Sequence, residues 1–422
     1  MEIFQKLGLE IEDAWRAANY DEAGFPALAA DSLKRAEVPT RTDPWAAAQW
    51  ALRQGELPRQ RDVPSRFGDP ALTVFSAPRF HIDLLFWFEG TTSIHQHAFC
   101  GAFQVMLGSS IHSWYDFDRE LSINKFTEIG SMTLRKCELL SVGDVQEIMS
   151  GRQYIHSLFH LDQPSVTIVV RTDRSPLDLP QYNYFKPSLA IDPFFEQETV
   201  TKKTQVAAAL IRARNPEADR MIAEWLESCD LQTAFGLLLN LRGLLRPDSV
   251  QQMFNLKAPG DRFSRFLDIA EKRHGRVGDV FRKVFDEMNA LDTIVSRRSY
   301  VSDPEHRFFL ALLLNVEGRE RIFSLIRQRF PDSDPIEKVL DWTEELVDTR
   351  LAGDEHTNAL GIADFGDIDI FVLEQILRGS TGSAIAEAFR SQYGENAAEA
   401  ARSIPEKERR IRDAVLLRAL LN

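Results

Sequence analysis

Between about residue 71 and residue 172 the chain is a series of short apolar runs: ALTVFS, FHIDLLFWF, GAFQVML, SIHSWYDF, IGSMTLRKCELL, YIHSLFHL and PSVTIVVRT. Each is rich in β-branched and aromatic residues, and Gly, Pro, Ser and Asp punctuate them. No long helical stretch separates them, so the spacing predicts an antiparallel sandwich or barrel.

The flanks read differently. EIEDAWRAA and DPWAAAQWALRQGEL carry apolar residues three and four apart, with Asp43 and Pro44 placed as a helix cap and first helical residue. A second change of character falls at PSLAIDPFF, near 188 to 195. Beyond it lies a succession of amphipathic helical patterns, from TQVAAALIRAR through DPIEKVLDWTEELVDTRLA to EKERRIRDAVLLRALL, without a fixed period. The expected architecture is α+β. A helical segment, 1–68, packs on a small antiparallel β-barrel, 69–188, and an all-helical domain, 196–422, follows and caps the barrel mouth or meets a protein partner.

A chain of 422 residues is long for one core, and 44% hydrophobic with 27% charged residues is ordinary for a folded protein. The net charge of −13 offers no bulk attraction to phosphate backbones or anionic headgroups. Nucleic acid and membrane are therefore not expected as partners, although a local basic groove stays compatible with that charge. The first residues lack a basic leader with an apolar core, and no window nears about 18 apolar residues. A cytoplasmic protein is the expectation. Cys100, Cys137 and Cys229 are too few and too far apart for a disulfide framework or a cysteine-rich zinc site.

Six of the nine histidines, His81, His95, His97, His112, His156 and His160, fall within eighty residues of the β-rich segment. Neutral imidazole is a common ligand for iron, copper, nickel and zinc. In a regular strand, residues two apart share a face, so His95 and His97 can meet one ion, with His156 offered by a later strand. The bland alternative is a surface pair with unrelated histidines around it.

The run from Gly90 to Gly108, with His95 and His97 ahead of an apolar strand, resembles the first motif of the cupins. Gly143 through Gly151 to His156 looks like a lengthened second motif. Within the cupins, FHIDLLFWFEGTTSIHQH followed by GAFQVMLG is similar to the thiol dioxygenases, the cysteine and mercaptopropionate dioxygenase family. The resemblance spans roughly residues 70 to 180. It implies iron(II) held by three neutral histidines, here His95, His97 and His156. Many cupins place a carboxylate ligand seven residues before the closing glycine, where this chain has Gly101, so a three-histidine face is expected. Such a face leaves positions for substrate and O2, and it could also hold zinc, nickel or manganese.

Around that set, His160 stands where cupins often have Asn, either bonding a ligand or replacing His156 as the third one. Gln104 points inward as a donor or faces solvent. His112 and Trp114 share a strand face, with core packing favoured over ligation, and His81 takes an outward or satisfied position. Cys100 is a small buried residue rather than the family's crosslinked cysteine. The family's catalytic tyrosine has no counterpart; Arg171 lies near its place, and Tyr154 beside His156 is the substitute candidate. Arg79 or Arg66 is nearest to the family's carboxylate-binding arginine, and Arg79 and Arg171 are the expected substrate-binding residues.

The reading that follows is a non-haem iron(II) dioxygenase of the cysteine dioxygenase-like type, oxidising a metal-chelating, thiol-containing or carrier-bound substrate with O2. The alternatives are a non-catalytic metal-binding sensor or scaffold, and a zinc or nickel hydrolase or isomerase.

Overall fold

The computed structural model describes residues 1–61, 63, 67–88, 92–245, 262–297, 300–301, 303–350, 358–394 and 398–421. Gly90, Arg66 and His356 lie outside the described residues. Helices α1 (Glu2–Ala17), α2 (Phe25–Ala36), α3 (Val38–Arg41) and α4 (Pro44–Arg53) come first. Strands β1 (Ala71–Ser76), β2 (Phe80–Trp87), β3 (Ile94–His95), β4 (Gly101–Leu107), β5 (Ser110–Asn124), β6 (Thr127–Leu140), β7 (Val145–Ile148), β8 (Ile155–His160), β9 (Ser165–Thr172), β10 (Asn183–Phe185) and β11 (Leu189–Ile191) follow. One sheet has the order β1-β2-β9-β4-β7; the other strands, β10-β11-β6-β5-β8-β3, form a closed antiparallel barrel. No described helix is long and apolar enough to cross a membrane.

The chain packs as two compact units, neither continuous in sequence: 1–116 with 133–179 and 290–422, and 117–132 with 180–289. The residues expected to form one helical domain, 196–422, are thus divided between the units.

In the first unit, α1 buries Phe4, Leu7, Ile11 and Trp15, a stripe at three- and four-residue spacing. That stripe shares a core with Ile82, Leu84, Val166, Ile168 and Val170 from the five-stranded sheet. The opposite face of the same sheet contributes Leu85, Trp87, Phe103, Val105 and Val169 to a separate core with Trp114 and Leu158. Buried on both faces, β2 and β9 carry apolar residues on both faces rather than strict apolar–polar alternation, β2 with His81 and Asp83 among them.

Helices α10 (Pro304–Asn315), α11 (Arg319–Arg329), α12 (Pro335–Asp348), α13 (Asp367–Leu377), α14 (Ser383–Tyr393), α15 (Ala398–Ala401), α16 (Ile404–Asp413) and α17 (Arg418–Leu421) belong to this unit too. Their core takes in Ile111 of β5 and Phe159 of β8, with Leu161 just beyond. By alternation these residues face away from His112, Trp114 and Leu158. The Asn315 carbonyl accepts from Ser113 Oγ at 3.5 Å, a further tie between α10 and β5. The helices therefore back the strands that carry His112 and His156.

In the second unit, α5 (Glu198–Arg212), α6 (Ala218–Leu226), α7 (Leu231–Leu245) and α8 (Arg262–His274) enclose a core with Phe281 and Phe285 of α9 (Asp279–Arg297). Ile129 and Leu189 of the neighbouring strands join it. The strands here exceed the expectation: SIHSWYDF extends to Asn124 and turns back at Thr127. The sequence DRELSINKFTE carries no Gly or Pro there; the Asn124 side chain makes the turn by accepting from the Phe126 N–H at 2.7 Å.

Candidate metal centre

β3 is only two residues long, and its pairing with β8 sets His95 directly opposite His156. His97 lies past the strand's end, where its carbonyl accepts from the Gly151 N–H at 2.7 Å. The three imidazoles gather, with ring centroids 4.6 Å apart for His95 and His97, 4.7 Å for His95 and His156, and 4.9 Å for His97 and His156. One nitrogen of each lies within 4.8 Å of the others, and all three side chains are buried.

Hydrogen bonding fixes the available nitrogen of His95 and orients the other rings. His95 Nδ1 is 2.7 Å from the Ser93 carbonyl, which can only accept, so Nδ1 carries the proton and Nε2 a lone pair. That buried Nε2 has no hydrogen-bond partner. His156 Nδ1 is 2.8 Å from His112 Nε2, while His156 Nε2 is 2.8 Å from His97 Nε2. His156 is thus engaged at both ring nitrogens, and its Nε2 and that of His97 lie close enough for one proton, or a shared cation, to sit between them. Holding a ligand imidazole through its other nitrogen is how metal sites set ring orientation and basicity.

Burial, the largest influence, holds His97, His156 and His112 well below the ordinary histidine value, and neighbouring histidines push the same way. Arg171 adds to the effect on His97. His95 is also lowered by burial, against the pull of the Ser93 carbonyl. Neutral imidazoles present lone pairs to a metal at neutral pH.

The group of three contains no carboxylate. Gly101 explains why none can come from the cupin-type position: a Cβ there would collide with the Val170 carbonyl oxygen on the adjacent strand. The donor set thus fits a metal that accepts three neutral nitrogens.

The remaining expected residues divide by strand face. Tyr154 lies at the site, its ring 4.6 Å from that of His156 and 6.2 Å from that of His97. Burial drives its phenol far above the ordinary tyrosine range, so it keeps its proton. His160 stands apart from the three, with Nδ1 2.7 Å from Ser165 Oγ and its ring stacked on Trp87 at 4.6 Å. Gln104 neither meets a ligand nor faces solvent: it is buried, and its Nε2 donates to the Gly143 carbonyl at 3.0 Å. It shares its face with Ala102 and Met106, which pack toward the N-terminal helices. Arg79 is turned toward those helices as well, its guanidinium 4.4 Å from the Tyr20 ring centroid. Arg171 stays near, 4.9 Å from the Phe99 ring, which lies 4.3 Å from His97. Its Nε donates to Asp83 Oδ2 at 3.2 Å. Cys100 is a buried thiol pushed up to about 11 by desolvation, within the core of the N-terminal helices. His81 is buried between Asp83 and Asp173.

Sequence reasoning missed two contributors. His112, fully buried and 3.7 Å from the Trp114 ring, holds His156 rather than simply filling the core. Its alternation with Trp114 gave the right face; the missing information was that β5 pairs with β8, setting Trp114 opposite His156. Ser93 acts through its main chain, which no residue-type pattern can reveal. No family model matches the chain, and no curated protein matches it.

Proposed function

We propose that the chain is a non-haem iron(II) dioxygenase of the cysteine dioxygenase-like cupin type, with His95, His97 and His156 as the metal ligands. The observation that carries this reading is the buried group of three neutral imidazoles with a carboxylate excluded at Gly101. Iron(II) bound there would bring a chelating substrate and O2 into one coordination sphere and supply the redox chemistry.

The protein's own part is positioning and exclusion. Ser93 fixes the tautomer of His95 and His112 holds the ring of His156 in place, so those rings need little reorganisation on loading. Phe99, Phe103, Trp114 and Leu158 keep bulk water from the group. Tyr154, neutral and beside His97 and His156, is placed to donate a hydrogen bond or a proton to a bound substrate. A thiol is the first substrate class to test, free or carrier-bound. Oxygen uptake by the iron-loaded protein over a panel of small thiols tests the reading: uptake lost in His95→Ala supports it. Bound zinc or nickel with no uptake, iron-loaded included, contradicts it and favours a hydrolase or a structural metal.

A further inference from the structure

The end of β9 and the segment before β1 enclose a second cavity of about 300 Å³, lined by Arg59, Arg61, His81, Arg171, Asp173 and Arg174 among others. None of the three clustered histidines lines it, and Arg171 packs on the Phe99 ring, which in turn packs on His97. In a chain of net charge −13, four guanidinium groups around so small a space is a costly concentration of like charge.

The lining is built rather than casual. β2 and β9 pair so that His81 lies opposite Arg171. Arg61 is fixed by its Nη2, which donates to the Ala77 carbonyl at 3.2 Å, and its Nη1 is 3.4 Å from Asp173 Oδ2. Its buried Nε has no hydrogen-bond partner. His81 is 2% exposed, and its two nitrogens lie 3.3 Å from Asp83 Oδ2 and Asp173 Oδ1, neither with the angle of a hydrogen bond. Buried donors at a cavity wall are thus left with unused capacity. Guanidinium forks match the paired oxygens of an oxyanion, and groups approaching from two chain segments suit a tetrahedral one.

We propose that this cavity is an oxyanion site that takes a phosphate group, as inorganic phosphate or as the phosphate of a small monoester. Asp173 is the stand-in: half-exposed, its carboxylate bridges Arg61 and His81 where an incoming phosphate would bond. Asp83, buried behind it, keeps its bond to Arg171 and holds that arginine in place.

Calorimetric titration of the full chain with inorganic phosphate, with glycerol phosphate and acetate as parallel arms, tests this. Saturable phosphate binding, preferred over acetate, is expected. The glycerol phosphate arm separates the two sources, tighter binding assigning the site to a monoester. Arg59→Gln, at an exposed side chain, should weaken phosphate about tenfold. Asp173→Ala, by removing the competing carboxylate, should tighten it. His95→Ala must leave phosphate binding intact, which separates this site from the metal group whatever metal that group holds. No saturable binding by either the wild type or Asp173→Ala, unchanged affinity in Arg59→Gln, or binding lost in His95→Ala would overturn the proposal. The arginines would then be a structural ion-pair network only.

Discussion

His112 contributes no atom to the three clustered ligand nitrogens, yet it decides how one of them is presented. Replacing it with Phe keeps a ring against Trp114 and removes the hydrogen-bond partner of His156 Nδ1. Metal affinity should fall by about 10- to 100-fold while the fold survives, read by competition with a chelator. Asp83 shows the same dependence of one side chain on its neighbours. Burial works to raise its carboxyl, but His81, Arg171 and Thr73 outweigh this and hold it below the ordinary carboxylate value of 3.8. A folded value below the unfolded one stabilises the protein above about pH 4, and that stability is lost as pH falls through the folded value. Asp83→Asn should therefore cost about 3 kcal/mol at neutral pH. The gap should narrow in urea melts as pH falls below the ordinary carboxylate value of 3.8, and a gap independent of pH would contradict this assignment. At this scale the sequence was most legible where spacing alone sets geometry, as for His95 and His97. It was least legible where strand pairing decides, as for His112, or where the face of a strand buried on both sides decides, as for Gln104.

Among the elements, β5 and β8 have two working faces. One carries His112 and His156, and the other packs Ile111 and Phe159 under α10 and its neighbours. A chain ended at residue 190 would expose that second face and lose several buried apolar side chains, each worth roughly 1.5–3 kcal/mol. It is expected to aggregate or to lose cooperative unfolding and metal binding together, as seen by calorimetry and metal analysis. A soluble, metal-loaded 1–190 would show that the helices are dispensable to the site. Helix starts were legible because they are local: Asp43 accepts from the Trp45 N–H at 3.1 Å, and Asp334 from Ile336 at 2.7 Å. The extension of β5 and β6 was not, because its outer half, DRELSIN, is mostly polar and offers only Leu121 and Ile123 two apart, too short an alternation to announce a strand.

Across the whole molecule, the division of the chain follows packing rather than sequence order. Both β5 and β6 run from one unit into the other, and α9 changes core partway, from Met288 in one to Leu291 in the other. Composition shifts mark where helices replace strands, but they carry no information on which helices share a core, so 196–422 read as one domain. The functional account rests on the smaller scale, on three imidazoles gathered by β3, β8 and the main-chain hydrogen bond from Gly151 to His97. Its most direct test is the transition-metal content of the purified chain beside that of His95→Ala and His156→Ala. The account predicts about one ion per chain in the wild type and less than about a tenth of that in either variant, with unchanged circular dichroism. Equal metal content in all three would contradict it.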